Sequence, residues 1–507
     1  MAADSPARTR PTTAAIRHGG RVLLAAGAFG LGGQVLFYEV GIGINFPIAV
    51  GLLLAGAWLL RRPAAEPMRR DLWLAPAAIA FAALAAVRAD PTIVTLDALT
   101  ALGLTGAALA SFGGRPVVAR PLGRMVELGF GVAGWVAAGA ASAWRSRPPR
   151  VINLRRAGPA LPYLRGLLIA APIVLVFVAL FSSADAVFAR ILDDVFEVNL
   201  ELGEIPGRLG MTAVLGWLAA GGLALSASTP PTERPVAAST WRLGRPEALT
   251  VLLAVDALFL GFVALQGAYL FGGLDTLGAT GLTYAEYARR GFFELVAVAV
   301  LAGGLIVAVE RSTRDRSRPF IGAAIGLAVL TGVVLVSAAL RLRLYQEAYG
   351  WTELRLYVLA TIGLLAVGLL GLVVALAADR VRWIGHVLIG AGLGIGLALS
   401  LIGPVRFITE QNVARSLDPS LVEEHGRTEL DHAYAVSLGD DAVAALLTAL
   451  PSLDEPDAAR VRDALLWRLV ELRRDSGLRA WQAWNLGRAT ALTALETAED
   501  RGVLDDR

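Results

Sequence analysis

The sequence predicts an all-α fold: a polytopic transmembrane helical bundle with 11–12 hydrophobic segments, followed by a small C-terminal soluble α-helical domain. Three observations carry that expectation. Of 507 residues, 56% are hydrophobic and the mean hydropathy is +0.60, a balance that a soluble domain covered with charge does not reach. Apolar runs of about 20 residues, the length that crosses the hydrocarbon, recur throughout 21–404. After Pro404 those runs stop, and 405–507 is polar and rich in helix signals.

The elements follow in order. Residues 1–20 form a polar, Arg-bearing tail with no small-residue cleavage site before the next apolar run, so the first segment reads as a retained helix. Runs of spanning length lie near 21–37, 43–60, 72–88, 92–112, 126–143, 164–182, 209–227, 248–271, 291–309, 319–340, 355–377 and 383–403. Glycine recurs in them, at Gly363, Gly368 and Gly371 for example, as expected where helices approach closely in lipid. Segment 126–143 is flanked by Arg-rich loops on both sides, which favours a re-entrant or interfacial segment and eleven spans, with twelve as the alternative. In 184–204, Val187, Phe188, Ile191, Leu192 and Val195 repeat at helical spacing opposite Asp193, Asp194 and Glu197, the pattern of a helix lying in the interface.

In 405–507, start signals stand at Ser437 to Asp440 and at Asp454-Glu455-Pro456. Trp467, Trp481 and Trp484 are the expected core of this region, which carries nineteen acidic and twelve basic residues.

Charge assigns sides. All 46 basic residues are arginine, and they sit in short loops between apolar runs, so the formal net charge of +3 reports orientation and gives no reason to expect a nucleic-acid partner. The N-terminus and the loops 61–71, 113–124, 144–156, 232–245, 310–318 and 379–382 are expected in the cytoplasm. The chain then ends outside, with 405–507 as an extracytoplasmic helical domain on a bacterial plasma membrane. The absence of cysteine excludes disulfides and thiolate chemistry. The four histidines are scattered, so neither a metal site nor a cofactor is expected.

The candidate site residues are those whose location is costly. In 284–294, Glu286, Arg290 and Glu294 fall on one helical stripe, beside Arg289. Glu294 reads as a turn inside the apolar run, where a charge costs about 2.5 kcal/mol or more unless paired or hydrated. The next external loop repeats the composition with Arg341, Arg343, Tyr345, Glu353 and Arg355. Guanidinium groups beside aromatic rings suit phosphate or sugar headgroups, although the same residues could tie the two loops together. Asp256 lies nine residues into its segment, about 12 Å deep, and with Glu294 it makes up the intramembrane ionisable set.

The stretches "SSADAVFARILDDVF" (182–196), "LTYAEYARRGFFELV" (282–296), "YGWTELRLYV" (349–358), "LDHAYAVSLGDDAVAALL" (430–447) and "WQAWNLGRATAL" (481–492) resemble an uncharacterised bacterial family of multipass membrane proteins, the domain of unknown function 4153/4173 group. The resemblance implies a polytopic bundle with an appended helical region and implies no reaction.

No reaction motif appears, so a non-enzymatic role is the default. The leading expectation is a transporter-like or lipid-headgroup-binding envelope protein with an outer-leaflet polar site, its partners being membrane lipids. The alternatives are an envelope scaffold or signalling protein that binds a protein partner through 405–507, and a lipid-linked transferase.

Overall fold

The computed structural model describes residues 19–61, 69–145, 204–228, 243–271, 292–313, 316–418, 420, 422 and 430–505. They are α-helical with short 3-10 turns, and no strand occurs among them. Each apolar segment that falls on described residues is a helix. These are α1 (Gly19–Phe37), α2 (Asn45–Leu60), α3 (Leu74–Leu84), α4 (Pro91–Phe112), α5 (Leu122–Arg145), α6 (Ile205–Ala227), α7 (Arg245–Phe271), α8 (Phe292–Ser312), α9 (Arg318–Tyr349), α10 (Glu353–Ala377) and α11 (Ile384–Ile402). Nine of the described helices are long and apolar enough to cross a membrane, and α2 and α3 are shorter. The segment 164–182 and the amphipathic stretch 184–203 lie outside the described residues. The protein is an all-α polytopic bundle.

The chain divides into two compact units. The first draws on Met1–Ala83, Ala98–Arg234 and Gly477–Trp484. Here α6 is the axis on which α1, α2 and α5 pack. Glycine permits the approach: a Cβ on Gly30 would lie 2.5 Å from the Thr212 carbonyl oxygen, and one on Gly139 would lie 2.6 Å from Gly221 Cα. Residues 126–143 belong to α5, one unbroken helix of 24 residues whose apolar side chains, such as Phe130 at 77% exposure, are mostly uncovered.

Buried polar groups close this unit's turns. The Asn45 amide donates to Leu36 O (2.9 Å) and Gly41 O (3.0 Å) and accepts from Gly43 N (2.8 Å), holding the α1–α2 turn. Asp71 accepts from the backbone of Val117 (2.9 Å) and Val118 (3.0 Å), and Arg115 donates to Leu225 O (3.1 Å) and Ser228 Oγ (2.9 Å). Segments 69–71, 113–118 and 225–228 therefore meet at one end of this unit.

The second unit draws on Leu84–Asp97, Pro235–Ser476 and Asn485–Arg507. The 32-residue α9 is its mast, against which α7, α8 and α10 pack. Leu252, Ile306, Phe320, Leu327 and Leu376 fill one level of the core, and Leu295, Val334, Leu335, Leu342 and Ile362 fill the next. Helix α11 lies on α10 at Gly368 and Gly371, where a Cβ would stand 2.7 Å from Leu388 and Val387 side-chain atoms respectively.

Of the polar tail, residues 405–476 and 485–507 group with this unit. The tail contributes α12 (Pro404–Leu417), α13 (His432–Ser437), α14 (Val443–Ala449), α15 (Glu455–Arg474) and α16 (Leu486–Asp500). Helix α15 starts at Glu455 with Pro456 in its first turn, as its sequence signal requires, although the Asp454 side chain makes no cap. The tryptophans are not the core. Trp467, Trp481 and Trp484 are 67%, 61% and 48% exposed; for Trp467 the reason is that Val461, Leu465, Leu469 and Leu472 set the inward face of α15 and Trp467 falls opposite it. The buried groups are these aliphatics with Leu446 and Leu495, and Asp440, which takes a two-pronged ion pair from Arg468 at 2.6 and 2.8 Å.

Candidate ionisable site

The stretch Arg88-Ala89-Asp90-Pro91 starts α4 in the second unit. Pro91 suits the first helical position, and Asp90 is the cap: its Oδ1 accepts from the backbone of Thr92 (2.8 Å) and Ile93 (3.4 Å). Asp97 follows seven residues later, two turns on and on the same face, about 10 Å along the helix. Both aspartates are 1% exposed.

Asp97 Oδ1 accepts from Ser400 Oγ at 2.7 Å, and that hydroxyl also faces Gly396 O at 2.9 Å. The second oxygen of each aspartate is buried with no hydrogen-bond partner among the described residues. The Tyr357 hydroxyl lies beside Asp90 without closing a well-formed hydrogen bond.

Arg88 is the neighbouring cation, and its guanidinium is already engaged. It donates through Nε to Ser400 O at 2.8 Å and through a terminal nitrogen to Leu401 O, satisfying the last carbonyls of α11. It fills the space beside Gly403, whose φ of +73° turns the chain into α12 and where a Cβ would lie 2.7 Å from Arg88 Cζ. Asp441 accepts from the backbone of Ala89 (3.0 Å) and Asp90 (3.2 Å), and Asn485 donates to Arg88 O at 2.7 Å. The loop is thus held from three elements of the same unit.

Burial pushes the Asp90 carboxyl up to about 6, against the pull of the Thr92 and Ile93 N–H groups and with added pressure from Glu353 and Asp441. Burial likewise raises Asp441, and the Ala89 and Asp90 N–H groups oppose it. Such an arrangement can hold and exchange a proton in a dry setting.

The residues singled out from sequence fall differently. Glu286, Arg289 and Arg290 lie outside the described residues, so the pairing of Arg290 with Glu294 does too. Glu294 is exposed in the first turn of the described α8. Arg343 pairs along its own helix with Glu347 at 2.7 Å and is 73% exposed. Arg341 is half-buried.

Arg355 is 8% exposed, donates to Gly350 O, and stacks 4.1 Å from the Tyr345 ring and 5.9 Å from that of Tyr349. The Glu353 N–H donates to the Tyr434 hydroxyl at 2.8 Å, and Asn412 brackets Trp351 by accepting from its N–H (2.8 Å) and donating to its carbonyl (2.9 Å). Tyr345, Glu353 and Arg355 are therefore brought together, but as the tie between α9, α10 and the tail. Asp256 is half-buried, with its Oδ1 unpaired and its carboxyl 3.7 Å from where a Gly326 Cβ would stand.

Sequence reasoning passed over Asp90, Asp97, Arg88, Ser400 and Asp441. A signal for Asp97 was available: it is an acid six residues inside an apolar segment, the same criterion that marks Asp256. No curated protein and no solved structure matches this chain. The family described as Domain of unknown function (DUF4153) matches residues 75–449, most of the chain and all of the site except Asn485, and the protein belongs to that family.

Proposed function

We propose that this is a transporter-like integral membrane protein whose conformational state is set by a proton carried at Asp97, with Asp90 beside it. The reading rests on one observation. Asp97 lies within a helix of spanning length, 1% exposed, with one carboxyl oxygen unpaired and no ion pair among the described residues. An ionised carboxylate so placed is costly, whereas a protonated one keeps its Ser400 bond and loses the penalty. Ionisation would pull on Arg88 or admit water, and either response strains the end of α11 at the Gly403 turn into the tail. Protonation then biases two arrangements of one element, which is what coupling requires.

The arginine pattern puts this site on the outer side of a bacterial plasma membrane, with the N-terminus cytoplasmic and 405–507 extracytoplasmic. Because Arg343 and Arg355 are spent on internal contacts, the loop 341–357 favours a structural tie over a headgroup site.

Infrared difference spectroscopy of the reconstituted protein tests the proposal without a known substrate. A pH step should produce the carbonyl stretch of a protonated carboxyl, and D97N should remove a component of it. If the same band survives intact in D97N, Asp97 is not the proton carrier.

A further inference from the structure

Trp481 starts a 3-10 turn, Trp481–Ala483, that Trp484 caps, and the two residues are 61% and 48% exposed. Within the first unit this turn is pinned to the ends of two apolar helices. The Ile44 N–H donates to Trp484 O at 2.9 Å, and the Gln482 amide donates to Val35 O at 3.3 Å. Gly43 packs on the same turn so closely that a Cβ there would lie 2.5 Å from Ala483 O. Helix α1, long and apolar enough to span, presents Leu31 and Val35 at 63% and 57% exposure in its last two turns, directly below the turn. The turn that carries the exposed indoles thus meets the end of a helix with exposed apolar side chains.

An indole is an amphipathic ring, apolar over its body and a donor at its N–H, and tryptophan concentrates at the membrane–water interface for that reason. We propose that residues 481–484 form an interfacial foot, with Trp481 and Trp484 inserted into the phospholipid glycerol and carbonyl layer. The bilayer is the occupant because the turn is bonded to the end of α1, a helix long and apolar enough to span whose Leu31 and Val35 are exposed. A water-soluble partner would have to cover those side chains as well.

The chain contains no cysteine, so a single introduced thiol carries the only label. W481C bearing a nitroxide, in the full chain reconstituted into phosphatidylcholine–phosphatidylglycerol vesicles, should collide more with oxygen than with a water-soluble nickel chelate. L31C gives the lipid reference and T493C, on the exposed face of α16, gives the water reference. A label at 481 that matches T493C, or that is shielded from both reagents as under a protein partner, overturns the proposal. Should W481C fail to fold, brominated phospholipids provide a second measurement: they should quench the intrinsic fluorescence of the wild type more than that of W481F/W484F. Equal quenching overturns it.

Discussion

The second unit holds two charged regions that read oppositely in sequence and in space. The loop 341–357 is dense in arginine, glutamate and tyrosine, yet Arg343 pairs with Glu347, and Arg355 donates to Gly350 O and stacks on the Tyr345 ring, although its Nε is buried with no hydrogen-bond partner among the described residues. The short turn 88–90 looks unremarkable, yet it begins a helix that buries two carboxylates with an unpaired oxygen each. Charge density in a sequence marks surfaces and ties. Uncompensated cost marks a site, and cost depends on what surrounds the charge.

That contrast can be broken by mutation, since ties should lose stability when removed and site residues should not. The largest loss is expected for Arg355→Ala, which strands the Gly350 carbonyl and removes the ring contact: about 2–4 kcal/mol, read as a lowered thermal midpoint in detergent. Asn412→Ala should follow at about 2 kcal/mol, because it leaves both the N–H and the carbonyl of Trp351 without a partner.

Asp97→Asn should move the other way, by about 1 kcal/mol toward greater stability at neutral pH, since the amide oxygen still accepts from Ser400 and no charge is buried. A destabilised D97N would turn the site into another tie. Arg343→Ala should change the midpoint least, within about 0.5 kcal/mol, as an exposed pair one turn apart.

The pH dependence sharpens the same comparison. Asp90 is raised in the folded chain to about 6 from an ordinary 3.8, so over that window the native state holds a proton that the unfolded state has released. Its contribution is fully present in acid and is lost as pH climbs through about 6. Melting curves of the wild type should therefore fall across that window, and those of D90N, which keeps an N-cap side chain, should fall less.

Much of the fold was legible because its signals are local. A helix satisfies its own backbone in lipid, so twenty apolar residues announce themselves, and the described segments are helices where such runs occur. Asp71 reaches the backbone of Val117, across 46 positions, and of Val118, contacts that apolar runs do not announce. The misplaced tryptophans show the limit. Trp467 is as apolar as Leu465 and Leu469, but the helix phase set by the aliphatic majority turns it outward. Asp97 carried the same sequence warning as Asp256, and only its surroundings distinguish them. Ser400 and Arg88 lie more than 300 positions apart and touch, which no local pattern reports.

By itself, then, the sequence determined class: a helical membrane bundle, because hydropathy and backbone satisfaction act within each segment. Which charges are spent and which are left waiting was decided by tertiary structure alone. A carboxylate's cost is set by groups brought to it from elsewhere in the chain, here Ser400 for one oxygen of Asp97 and, among the described residues, no hydrogen-bond partner for the other.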